Sequence, residues 1–376
     1  MSHTPDHAAG WERRRAARLA ALPWLHTDTS TGRPVRHVKD EVLVRAEQEG
    51  AARDALARLG VPASRVGRRT AGHGFVRLSA PGADPVAVAA ALPEGAAAPN
   101  HVFAANPFEM GGPFGPPAAA DALALDGGPA ADATMRLAVL DTVVWSDSPL
   151  PAAWYETEDL DPDVEAAAEL GHANFIIGVV MSRTDNARIR AIKVLDADGL
   201  CTESDLADAL DALGDDVDVV NLSLGAFTRN NRPPALLTDA LGRTLAGRDR
   251  VVVAAAGNDG VAGRPYWPAA FAGTALPFAG QVLAVAAHDG SGVCDWSNTG
   301  DWVGVAAPGA DVTSTYVTHK DFPTGFASWS GTSFAAPYAA AVIAENHRAT
   351  KSATAALALV RKESADRRLG GLPSLA

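Results

Sequence analysis

Between residues 136 and 258 the chain repeats one pattern: a strand-length run of almost uninterrupted apolar residues, then a stretch with helical spacing. The runs are "RLAVLDTVV" (136–144), "ARIRAIKVLD" (187–196), "VDVVNLSLG" (217–225) and "RVVVAAAGN" (250–258). Between them the spacing predicts helices near 163–181, 202–213 and 233–246. A strand that is apolar on both faces has to be covered on both faces. Alternation with helices therefore points to an α/β fold, a doubly wound and mostly parallel sheet. In such sheets function collects at the carboxyl ends of the strands. Three of these ends carry a polar side chain: Asp141, Ser223 and Asn258.

A separate pattern precedes this one. Residues 37–106 read as β-α-β-β-α-β: "EVLVRAE", "GAARDALARLG", "SRVGRRT", "GFVRLSAP", "DPVAVAAALPE" and "NHVFAAN". That order is the signature of a ferredoxin-like α+β unit. Asp84 is placed to cap the second helix, with Pro85 at its first position. Residues 1–36 read as a flexible leader, in which Arg18 and Pro23 interrupt the apolar run of an export signal. Residues 107–133 are rich in Pro, Gly and Ala and read as a linker to a domain spanning 134–376. With no apolar run of membrane-spanning length free of charge, the expected location is the cytoplasm.

Bulk properties remove several classes of partner. The formal net charge of −12 over 376 residues argues against nucleic acid, which demands a basic face, and against membrane contact. The two cysteines, Cys201 and Cys294, form neither a disulfide framework nor a zinc-ligand spacing and are expected as free thiols.

Four residues carry candidate chemistry. Ser333 lies in "SWSGTSFAAPYAAAVIAE" (328–345), at the mouth of an apolar helix. A serine hydroxyl becomes a nucleophile only beside a base and beside donors for the developing oxyanion. Gly331 leaves room for a substrate backbone, and Pro337 is expected in the helix's first turn, where a missing donor costs nothing. Read alone, Thr332 or Ser333 is equally a helix cap. His172, in "GHANFIIGVV", is either a base or a satisfied core histidine. Asp141 is either the acceptor that orients an imidazole or a capping carboxylate. Asn258 is either an uncharged oxyanion donor or a turn residue in Asn-Asp-Gly.

Taken in chain order, Asp141, His172, Asn258 and Ser333 resemble the subtilisin-like serine protease family. "GTSFAAP" is similar to its nucleophile motif, "LAVLDT" to its aspartate strand, "AAAGNDG" to its oxyanion segment and "VDVVNLSLG" to the strand lining its cleft. The resemblance covers roughly residues 135–365, and the N-terminal unit resembles the family's inhibitory prodomain. It implies peptide-bond hydrolysis through an acyl-enzyme, with Ser333 as nucleophile, His172 as base, Asp141 as its orienter and Asn258 as oxyanion donor. A peptide or protein substrate is expected to bind as an extended strand between Gly199–Leu200 on one edge and Ser223, Leu224 and Gly225 on the other. The unit 37–106 is expected to act as an intramolecular inhibitor, with cleavage disfavoured at Asn106–Pro107. Asp259 is expected at the rim of the primary specificity pocket, favouring basic side chains there.

Three departures from the family pattern stand out: Val143, Ala173 with Asn174, and Ala341. The alternative reading is a catalytically silent peptide-binding module. A third reading, within catalysis, is a cytosolic protease specialised in trimming a precursor. Calcium often stabilises the family, but no loop dense in oxygen ligands is present, so no cofactor or metal site is expected.

Overall fold

A computed structural model describes residues 16–72, 74–105, 117–125, 127–158 and 171–376. The apolar runs form strands as their composition requires: β6 (Met135–Asp141), β8 (Ala187–Lys193), β10 (Val219–Leu222) and β12 (Val251–Ala255). Three further strands join them: β7 (Tyr155–Thr157), β13 (Val282–His288) and β14 (Val305–Pro308). The seven lie in the order β14-β13-β12-β10-β6-β8-β7, and each neighbouring pair is parallel. The first strand in sequence, β6, sits inside the sheet, with later strands added on both sides. This reversal of winding direction opens a crevice at the carboxyl ends of β6 and β10.

Helices α3 (His172–Met181) and α6 (Thr332–Thr350) pack on each other and on this sheet. Every residue of α3 is buried, in keeping with its apolar sequence all round. Residues 163–170 of the helix expected over 163–181 lie outside the described residues. A second pair, α4 (Glu203–Asp211) and α5 (Ala235–Leu245), carries the N-terminal unit.

That unit contains β2 (Val35–Arg45), α1 (Glu49–Arg58), β3 (Gly67–Thr70), β4 (Phe75–Ser79), α2 (Pro85–Ala90) and β5 (Ala97–Ala105). The element order is the β-α-β-β-α-β read from the sequence. Asp84 caps α2 through Val86 N (2.9 Å). Its sheet is antiparallel, and β5 runs on beyond it. The carboxyl half of β5 pairs with β9 (Leu200–Thr202) and with β11 (Leu224–Gly225), both antiparallel. The N-terminal unit thus ends as a strand laid between two edges of the larger domain.

Residues 1–15 of the expected leader lie outside the described residues, and its remainder requires a correction. Residues 16–21 are helical, and β1 (Leu25–Asp28) pairs with β2. Leu19, Leu22, Trp24 and Leu25 pack with Val38, Val102, Ala104 and Leu200. Arg18 pairs with Asp198 at 2.6 Å and Asp28 with Arg229 at 3.3 Å. The apolar residues that resembled an interrupted signal are the core of this small cluster, and their burial offsets the entropy of ordering the segment. In the expected linker, Ala118–Ala119 pairs with the strand Phe326–Trp329. Residues 106–116 and 126, including the Asn106–Pro107 bond, lie outside the described residues. No described helix is long and apolar enough to cross a membrane.

Candidate active site

Asp141 closes β6 and is fully buried, as is His172 at the first position of α3. An ionised carboxylate survives there only if it is hydrogen-bonded. Asp141 Oδ1 accepts from Thr142 N (2.8 Å) and lies 2.7 Å from His172 Nδ1. With a carboxylate as its partner, Nδ1 carries the ring proton. His172 Nε2 is then the atom free to accept, and it has no hydrogen-bond partner among the described residues. Trp329 and Phe334 flank the imidazole at centroid distances of 5.9 and 5.7 Å. Together they fix the ring plane and keep water from it.

The departures at Val143, Ala173 and Asn174 support this geometry. Val143 and Ala173 are buried in close packing. Ala173 N donates to Thr142 Oγ1 (3.1 Å), tying the start of α3 to the end of β6. The Asn174 amide bonds both Trp145 N and Trp145 O at 2.9 Å, so the loop after β6 is stapled to the histidine helix. Ala341 is fully buried within α6.

Ser333 is the second residue of α6, after Gly331 and Thr332. The helix begins earlier than its proline implied. Pro337 is the sixth residue, inside the helix rather than in its first turn. Lacking an N–H, it leaves the carbonyl four residues back, that of Ser333, without its helical donor. Ser223 Oγ supplies that bond instead (2.8 Å). In return Ser333 Oγ donates to the Ser223 carbonyl at 3.2 Å, long for a hydroxyl donor and so readily exchanged. Asn221 Nδ2 in turn donates to Ser223 Oγ (2.9 Å). The proline therefore leaves the Ser333 backbone locked to Ser223, at the end of β10.

Asn258 follows β12. Its Oδ1 accepts from Thr332 N and from Thr332 Oγ1, both at 2.9 Å, and Thr332 Oγ1 also accepts from Gly257 N (3.0 Å). Two donors on the oxygen settle which end of the amide is which. Nδ2 has no partner among the described residues. It stands beside the first turn of α6, where backbone N–H groups have no helical acceptor and the dipole favours negative charge. A Cβ at Gly331 would lie 3.5 Å from this nitrogen, so glycine keeps its approach open.

The five residues expected to line the cleft lie against β5 or Ser333. Gly199 O accepts from Ala105 N (2.8 Å), and Leu200 is level with Ala104. Leu224 and Gly225 pair with Ala105 and Ala104, while Ser223 turns to Ser333. The missing Cβ of Gly225 serves packing: one built there would lie 2.1 Å from Tyr266 Cε1. Asp259 is not at an open rim. Its Oδ2 accepts from Asn298 Nδ2 (3.2 Å), and Arg33 of the N-terminal segment donates to its backbone carbonyl (2.6 Å). Burial raises its carboxyl pKa to about 6, against the pull of Asn298 and of Arg33, Arg36 and Arg264. Cys201 and Cys294 are buried free thiols. Burial pushes Cys294 up to about 12 and Cys201 well above the usual thiol range.

Several positioning residues escaped the sequence reading. Asn298 holds the Asn258 loop, donating to Ala256 O and accepting from Asp259 N and Val261 N. Glu203, fully buried, accepts from Leu236 N and Leu237 N at the start of α5 and pairs with His101 of β5 at 2.7 Å. Both act across more than thirty residues, so no local pattern announces them. Thr332 was legible as part of Gly-Thr-Ser, though only as a cap. Among the described residues, no group of three or more His, Cys, Asp or Glu side chains is placed to hold a metal ion.

Several curated proteins are similar to this chain. The chain is 36% identical over 181 residues to the thermophilic serine proteinase of Bacillus sp. strain AK1, covering 48% of this chain and 39% of that protein. It is 30% identical over 220 residues to a thermostable alkaline protease of Halalkalibacterium halodurans, covering 56% and 55%. To thermitase of Thermoactinomyces vulgaris it is 31% identical over 224 residues, covering 55% and 72%. The chain thus spans about half or less of the first two relatives' lengths. A family profile described as the subtilase family matches residues 137–362, more than half of the chain and inclusive of Asp141, His172, Asn258 and Ser333. On that match, this chain belongs to the subtilase family.

Proposed function

We propose that the chain is a serine endopeptidase acting through an acyl-enzyme, held in check by its own N-terminal unit. The observation that carries this reading is the buried imidazole of His172, with one nitrogen on Asp141 and the other unpartnered among the described residues. For catalysis the Ser333 hydroxyl exchanges the Ser223 carbonyl for His172 Nε2. Ser333 Oγ then bonds to the scissile carbonyl carbon as its proton passes to Nε2. Asp141 stabilises the imidazolium, and Asn258 Nδ2 with the Ser333 backbone N–H takes up the charge on the carbonyl oxygen. The C–N bond breaks as Nε2 returns the proton to the leaving amine, and water releases the acyl group by the same steps.

The inhibitory role rests on β5. It occupies the place of an extended substrate, bonded to both edges, and the His101–Glu203 contact anchors it beside the cleft. One observation favours a silent binding module instead: the Ser333 hydroxyl donates to Ser223 rather than to the imidazole. A fluorophosphonate probe separates the two readings. Labelling of the purified chain, before or after limited trypsin digestion, and its loss in Ser333→Ala are the expected results. An unlabelled chain in both states would leave only the binding module.

A further inference from the structure

Strands β10 and β12 are neighbours in the sheet, but the chain leaves their carboxyl ends along two separate segments, 223–226 and 256–258. The first carries the edge that pairs with β5. The second carries the Asn258 amide. The register that sets Ala104 against Gly225 and Ala105 against Leu224 brings the next residue of a bound peptide level with Ser223, whose carbonyl holds the Ser333 hydroxyl. That residue presents the carbonyl to be cleaved. Flanked by the two segments, its side chain has the gap between them to enter.

In this chain an aromatic ring stands in the gap. A Cβ on Gly225 would lie 2.1 Å from Tyr266 Cε1, and a Cβ on Gly257 would lie 3.1 Å from both Tyr266 Cδ1 and Cε1. The ring therefore touches both walls, each of which is glycine at the point of contact. It is fully buried and packs edge-on against Phe227 at 4.9 Å. The next residue, Trp267, exchanges two backbone hydrogen bonds with Ala226, at 2.8 and 2.9 Å. Tyr266 is thus clamped in place from both sides. One oxygen of the Asp259 carboxylate is held by Asn298, and Arg33, Arg36 and Arg264 already act on its charge.

We infer that Tyr266 is a specificity-determining residue, which shortens this pocket and restricts cleavage to peptides with a small residue, such as glycine, alanine or serine, on the amino side of the broken bond. The inference rests on the peptidase reading and names its substrate class. Pocket discrimination by a single methylene is worth about 10–200-fold, so a whole ring is expected to cost at least the lower figure.

The experiment uses the full chain, before and after limited trypsin digestion, and a series of peptide anilides that differ only in the last residue, Ala, Leu or Phe, alongside the fluorophosphonate probe. Native protein is expected to favour Ala over Phe in kcat/KM by at least about 10-fold, and Tyr266→Ala to shrink or reverse that ratio. A native protein that is labelled at Ser333 yet cleaves the Phe substrate as well as the Ala one overturns the inference, even if the variant fails to fold. So does a folded Tyr266→Ala with an unchanged ratio. A chain that reacts with no probe either before or after limited trypsin digestion overturns the peptidase reading itself, and this inference with it.

Discussion

Replacing Asn258 by alanine tests the site most directly, because this side chain has two separable jobs. Its Nδ2 has no partner among the described residues and is the proposed oxyanion donor, and its Oδ1 holds Thr332 through two hydrogen bonds of 2.9 Å. Loss of the donor is expected to lower kcat by about 10²–10³, or about 2.7–4 kcal/mol of transition-state stabilisation. That range was established on the oxyanion asparagine of a subtilisin and is carried over from it. KM should change little, because the donor meets its full charge only in the transition state. Loss of the acceptor removes two bonds at about 0.5–1.5 kcal/mol each, so stability should fall by about 1–3 kcal/mol. Asn258→Asp separates the two effects. It keeps an acceptor for Thr332 but puts a negative charge where the oxyanion forms, so it should preserve stability and lose at least as much rate as alanine. Steady-state kinetics on a peptide anilide, with urea unfolding of each variant in a Ser333→Ala background, gives both readouts. A kcat for Asn258→Ala within about ten-fold of native, or an active Asn258→Asp, would refute the donor role.

Other perturbations probe the supports of the cleft. Glu203→Ala strands the N–H groups of Leu236 and Leu237 at the start of α5 and leaves His101 without its carboxylate. It should cost about 3–5 kcal/mol, read from unfolding midpoints, and a loss below about 1 kcal/mol would show that water replaces the carboxylate. Gly225→Ala drives a methyl to 2.1 Å from the Tyr266 ring and should destabilise the fold by about 1–3 kcal/mol. Adding Tyr266→Ala should restore part of that loss, and strict additivity of the two changes would disprove their contact. Asp259 has its carboxyl raised from 3.8 to about 6 by burial, so the folded chain keeps this proton longer than the unfolded chain. Its contribution to stability therefore falls as pH rises from about 4 to about 6 and then levels off. Asp259→Asn should remove that slope and gain on the order of 1–3 kcal/mol at neutral pH. Parallel pH profiles for native and variant would contradict the assignment.

The amino-acid sequence by itself determined the scaffold and the candidate site residues. Apolar strands flanked by helices leave one arrangement that covers both faces of a sheet. Polar residues at the ends of such strands, Asp141, Ser223 and Asn258, then meet at one edge of it. "GTSFAAP" pointed to Ser333 through its resemblance to the family's nucleophile motif, since its residues alone are equally those of a helix cap.

Only the tertiary structure decided how these parts are held and what the cleft admits. Pro337 looked like a helix starter, but its effect is to free the Ser333 carbonyl for Ser223, more than a hundred residues away. The leader looked mobile until its leucines met Val38, Val102 and Leu200. Tyr266 and Glu203 act wholly through partners distant in the chain: the gap between two diverging segments in one case, a helix terminus and a histidine in the other. Helix and strand periodicity report each residue's own neighbourhood, whereas packing across tens of residues fixes the depth of a pocket and the partner of a buried charge.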